Sequence, residues 1–156
     1  MRYFYGVLLG MVTQNALSAD ADQCIAAAAQ YHRVNAEVLR SILNIESGFK
    51  PGTVSKNTDQ SIDVGMGGTN SIHFPELAKF GITPQHLLAP CNSIFTTAWL
   101  LGRAVRRHGE SWYGYAAFHS TTPYFNSRYQ ILIHNDLVRR GRKNGTLISV
   151  PPLKAP

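Results

Sequence analysis

Glu46 is the acidic side chain whose placement in this sequence points most directly to chemistry. It follows Ile42 by four residues and Leu43 by three, within a stretch that opens at Asn35 and carries apolar residues at helical spacing. On a helical wheel Val38, Leu39, Ile42 and Ile45 form the inward side, while Glu37, Arg40, Ser41 and Asn44 take the other. Glu46 falls with the apolar set, nearly opposite Glu37. A carboxyl group on an apolar face is costly unless it is paired or protonated. Desolvation raises its pKa. A carboxylic acid still protonated near neutral pH is what a general acid needs to protonate a glycosidic oxygen. The alternative is a helix-end glutamate that bends out to solvent.

Other chemistries find less support. The chain has no HExxH, no CxxC, no Walker-type loop and no G-x-S-x-G elbow. Its six histidines lack metal-ligand spacing, so neither a metal nor another cofactor is expected. Gly65-Met66-Gly67-Gly68 is Gly-rich but lacks the lysine and the preceding strand of a phosphate cradle. Asp59 and Asp63 are the acids nearest in the following loop, and either one positioning a water would make a hydrolase instead.

The elements that must position Glu46 read as mostly helical. Asp22 is expected to cap a first helix through Cys24, Ile25, Ala28, Ala29 and Tyr31. Asn35 caps the second helix, Val34 and Leu39 have staple spacing, and Gly48 stops it. Residues 49–72 break the pattern with Gly, Ser, Thr, Asn and Asp, leaving room for a short hairpin in a long irregular segment. Helices resume at Phe74 to Phe80, at Thr83-Pro84 and, most clearly, at Asn92 to His108, where Ile94, Ala98, Leu101 and Val105 form an apolar stripe. Ser111 caps a short helix from Trp112 to Phe118, and a last helix covers Asn126 to Arg139 with Tyr129, Leu132, Ile133 and Leu137 inward.

Composition frames this as one domain: 156 residues, 44% hydrophobic and 15% charged, are those of an ordinary globular chain. Met1 to Ala21 read as a secretory signal, with Arg2 before an apolar run from Tyr3 to Val12 and small residues at Ala16, Ser18, Ala19 and Ala21. The alternative is an N-terminal core helix. The domain proper is then 22–139, and 140–156 form a basic, Pro-containing tail. Export puts Cys24 and Cys91 in an oxidising compartment, where a disulfide is favoured over two buried thiols. It would close a loop of about 65 residues, for roughly 4 kcal/mol on the chain-entropy model. Much of the net charge of +6 lies in Arg139, Arg140, Arg142, Lys143 and Lys154, so the tail reads as solvated and poorly ordered. Export and this tail location argue against nucleic acid as the partner.

Four segments, in order, resemble the lysozyme-like lytic transglycosylases, most closely the small ones that accompany type IV secretion, conjugation and pilus systems. Glu46-Ser47-Gly48-Phe49-Lys50-Pro51 resembles their catalytic motif, and the run from Asp63 to Phe74 sits where the second motif lies. Pro90-Cys91-Asn92-Ser93-Ile94 matches their Cys-Asn-Ile helix start, and Tyr115 to Ser120, followed by Thr122-Pro123 and Tyr129, resembles the third motif. The resemblance spans Cys24 to Leu137. Two departures stand out. Gly67, Gly68 and Thr69 replace the usual Met-Gln-Ile, and Phe118 and His119 replace a tyrosine and an asparagine.

The resemblance implies a mainly α, α+β lysozyme-like fold with a Gly-rich loop or small hairpin beside the cleft. It implies cleavage of the β-1,4 bond between N-acetylmuramic acid and N-acetylglucosamine, with an internal 1,6-anhydro ring as product. Glu46 would be the single acid/base, braced by Ser47, with Gly67, Gly68, Asn70, Ser71, Phe118, His119 and Tyr129 on the sugar. Peptidoglycan strands are the implied partner, together with components of a secretion, conjugation or pilus apparatus. The expected state is a monomer, periplasmic and wall-associated. A lysozyme-type hydrolase and a non-catalytic glycan-binding module are the rival readings.

Overall fold

The structure, a computed structural model, describes the backbone of residues 11–153 and the side chains from Asp20 onward. The described residues form six α-helices and a small sheet to one side that touches α4: α1 (Met11–His32), α2 (Ala36–Ser47), α3 (Phe74–Ala78), α4 (Pro90–His108), α5 (Trp112–Ala116) and α6 (Pro123–Arg139). Strands β1 (Val54–Lys56), β2 (Ile62–Val64) and β3 (Thr69–Asn70) form an antiparallel sheet in the order β1-β2-β3. This is the mainly α, lysozyme-like architecture expected, and the irregular segment after α2 holds one strand more than a hairpin. No described helix is long and apolar enough to cross a membrane.

α2 begins and ends where its sequence says. The Asn35 side chain accepts from the Glu37 and Val38 amides, at 2.9 and 3.1 Å. Gly48 takes the left-handed conformation, φ 60°, and its N–H bonds back to Asn44 and Leu43 carbonyls. Leu39, Ile42 and Leu43 are fully buried. They meet Ile94, Ala98 and Leu101 of α4 and Tyr129 and Ile133 of α6 in one core. Burying side chains of this size stabilises by roughly 1.5–3 kcal/mol each. The Cys24–Cys91 disulfide is present, tying α1 to the start of α4 across 67 residues.

In the full chain α1 runs from Met11, through part of the stretch read as a leader, and the Asp22 carboxylate pairs with Arg40 of α2 at 2.6 Å. The proposed leader falls partly on residues 1–10, outside the described residues. The basic tail is not a loose end through residue 153. It returns along α6, held by Arg142 N–H to the Leu137 carbonyl, paired bonds between Asn135 and Ile148, Arg128 to the Pro151 carbonyl and Tyr124 to that of Pro152. Arg140 anchors it, reaching Glu37 and Ser41 on α2 and Asp136 on α6. A charge count counts these arginines as surplus; the fold uses Arg140 to neutralise two acids.

Candidate active site

Glu46 sits in the last turn of α2, and its apolar neighbours hold the side chain partly buried at the junction of α2, α6 and the turn before β3. The Tyr129 hydroxyl, from α6, donates to Glu46 Oε1 at 2.5 Å. Burial raises the Glu46 carboxyl, the Tyr129 bond restrains it and the Asp63 carboxylate adds to the rise, which together put it at about 7. Burial and the neighbouring Glu46 push the Tyr129 phenol well above its ordinary range, so it remains a donor. The wheel reading therefore holds: the carboxyl does not turn out to solvent, because α6 covers it and offers a hydroxyl.

The residues of the third motif gather around this phenol. The His119 ring stacks on Tyr129, with centroids 4.5 Å apart and planes 5° from parallel, and Phe118 lies 6.5 Å away at a tilt. Burial and then Arg128 hold His119 below its ordinary value, so at neutral pH it is an uncharged ring. Phe118 has no hydroxyl to offer the acid, and the phenol comes from α6 instead, where Tyr129 is 2% exposed and serves core and site at once.

The second motif shapes the other side of the carboxyl. Gly65 to Gly68 form a turn closed by the Gly68 N–H on the Gly65 carbonyl. A Cβ on Gly68, at φ +59°, would lie 3.0 Å from Glu46 Oε2, and one on Gly67 would run into the Thr97 hydroxyl. These two glycines let backbone pass where the family's longer side chains would not fit this turn. The Gly67 N–H is taken by Ser93 Oγ at 3.2 Å, so neither glycine offers a free amide to a sugar.

Ser47, Asn70 and Ser71 are placed differently from expectation. The Ser47 hydroxyl donates to the Met66 carbonyl at 2.7 Å, bracing the turn beside Glu46, not the carboxylate itself. Asn70 spends its amide hydrogens on Asp63 and Ser61 and accepts from the Ile72 amide. The Ser71 hydroxyl accepts from the Ile62 amide. Each of the three pairs at least one backbone group, the Met66 carbonyl, the Ile72 amide and the Ile62 amide in turn.

Sequence reasoning missed the partners of Asp63. Its two carboxylate oxygens accept from Asn57 and Asn70 at 2.9 and 2.8 Å, and Ser61 links the two asparagine amides. The run from Asn57 to Ser61 signalled a turn, but cross-strand pairing alone brings Asn57 onto Asp63. Asp59 stays at the turn, where the Ser61 hydroxyl bonds it at 2.6 Å and lowers its pKa.

Residues 23–123 match the family described as Transglycosylase SLT domain, and the chain belongs to that family. Invasion protein IagB of Salmonella typhimurium is 32% identical over 123 residues, covering 78% of this chain and 75% of that protein. X polypeptide of Escherichia coli K12 is 32% identical over 101 residues, 64% of this chain and 60% of that protein. Protein IpgF of Shigella flexneri is 26% identical over 118 residues, 75% of this chain and 78% of that protein. The family's activity is of the lytic transglycosylase type on peptidoglycan, a polymer outside the cytoplasmic membrane. The stretch matched to the family stops where α6 begins, so Tyr129 lies beyond it.

Proposed function

We propose that Glu46 is the acid/base of a lytic transglycosylase that cleaves between N-acetylmuramic acid and N-acetylglucosamine. Protonated Glu46 gives its proton to the glycosidic oxygen as the bond to the muramyl C1 breaks. The substrate's acetamido oxygen bonds to C1 in its place. Glu46, now a carboxylate, takes the proton from the C6 hydroxyl, whose oxygen displaces the acetamido group and closes the 1,6-anhydro ring. Glu46 ends as it began, and water is not consumed.

The observation that carries this reading is the carboxyl raised to about 7 and held on one oxygen by Tyr129. Near pH 7 such a group is populated in both protonation states, as a residue must be that acts first as acid and then as base. Tyr129 fixes Oε1, which leaves Oε2, beside Gly68, to carry the proton. Asp63 argues against the hydrolase: both its oxygens are engaged by asparagine amides, and Asp59 is tied into its turn. Ser47, His119 and Phe118 act by positioning Glu46 and Tyr129, and Gly67 and Gly68 leave the carboxyl open to the glycan.

The chain is exported through the N-terminal leader, and the disulfide forms outside the cytoplasm. The similarity to an invasion protein supports a role in opening the wall locally for a secretion or conjugation apparatus. Mass analysis of muropeptides released from purified peptidoglycan tests the chemistry, since anhydro and hydrated products differ by one water.

A further inference from the structure

Helix α4 has two apolar faces. One, through Ile94, Ala98 and Leu101, is fully buried in the core. The other, through Phe95 and Trp99, floors a groove of about 720 Å³ that none of the residues around Glu46 lines. Its walls are Tyr31 at the end of α1 and Phe80 after α3, which remain 76% and 67% exposed. A second cavity of about 530 Å³ continues past Tyr31 to Arg33 and Arg106. Neither arginine forms an ion pair among the described residues. Arg103 lies 4.8 Å from the Trp99 ring centroid but is already paired with Glu76 of α3, so Arg33 and Arg106 are the cations that this end offers.

We infer that this groove is a docking site for an acidic amphipathic helix of a partner protein. The dimensions fit: from Asn92 to Arg106 the face runs about 21 Å at 1.5 Å per residue, the length of a helix of about 14 residues. Aromatic rings beside an apolar floor are the usual anchors of helix-in-groove binding. The cationic end favours carboxylates and rejects basic segments. It also disfavours a second copy of this chain, whose net charge is +6. The site is separate from Glu46, so it stands whatever reaction that residue performs.

The test selects binders to the full chain from a displayed library of 16-residue helix-forming peptides. A Trp112→Phe background leaves Trp99 as the single tryptophan reporter. The inference predicts binders with apolar residues at i, i+3 and i+7 and net negative charge. Their binding shifts Trp99 emission and weakens at least tenfold with Tyr31→Ala plus Phe80→Ala, and with Arg106→Glu. Both ring substitutions are at exposed positions, and circular dichroism confirms folding. Release of muropeptides stays unchanged. An absence of binders, neutral or basic binders, or binding indifferent to these substitutions overturns the inference. So does a Trp99 shift by N-acetylglucosamine oligomers that Phe80→Ala abolishes, which would make the groove a saccharide site.

Discussion

The Tyr129 hydroxyl meets Glu46 Oε1 at 2.5 Å across 83 residues of sequence, joining the end of α2 to the second turn of α6. The bond favours the charged carboxylate, so it opposes the effect of burial. Tyr129→Phe removes it, which raises the Glu46 pKa above about 7. Because the first step needs a protonated Glu46, the alkaline limb of the rate profile moves to higher pH. A hydrogen bond to a charged group contributes about 1.5–3 kcal/mol, so kcat/KM falls roughly ten- to hundredfold. An unshifted limb in a pH series would contradict the role given to this phenol.

The raised Glu46 carboxyl also sets a pH dependence of stability. Its pKa goes from 4.5 in the open chain to about 7 in the fold. Below 4.5 both states are protonated and nothing is lost. As pH rises from 4.5 through 7, the unfolded chain ionises freely while the fold resists, and stability falls by about 3 kcal/mol at the upper end. Glu46→Gln keeps an acceptor for Tyr129 and cannot ionise. It should match the wild type at pH 4 and be more stable at pH 8, as chemical denaturation at the two pH values will measure.

Thr69 replaces an isoleucine of the family's motif, and its hydroxyl is buried with no hydrogen-bond partner. A methyl in the same place removes that penalty. Thr69→Val should therefore raise stability by about 1–3 kcal/mol, seen as a higher denaturation midpoint with the slope unchanged.

Arg140 ties the C-terminal strap to two helices through Glu37, Ser41 and Asp136. Asp136 is 4% exposed and keeps only Asn44 when the guanidinium is removed. Arg140→Ala should cost about 2–4 kcal/mol, since it leaves a buried carboxylate poorly paired. The loss should shrink in Arg140→Ala with Asp136→Asn, measured as a double-mutant cycle.

Helix α2, its Asn35 cap, its Gly48 stop and the direction of Glu46 were all legible, because each rests on local spacing and backbone conformation. So was the Cys24–Cys91 pair, as the two cysteines of a chain read as exported. What could not be read depends on contacts distant in sequence. Tyr129 fits a core position by periodicity, and only the packing of α6 on α2 turns its hydroxyl to the acid. For Asn70 and Ser71 the motif suggested sugar contacts, but the backbone and side-chain partners that strand pairing gives their polar atoms could not be read. The tail after Arg140 is solvated, as read, but its order was missed, because net charge says nothing about which acids and carbonyls lie nearby.

The most direct test of the central claim incubates the protein and its Glu46→Gln variant with purified peptidoglycan and weighs the released muropeptides. The account predicts 1,6-anhydro products from the wild type and none above background from Glu46→Gln. Anhydro products from both proteins at similar rates would contradict Glu46 as the acid/base, and hydrated products from the wild type would contradict the lyase.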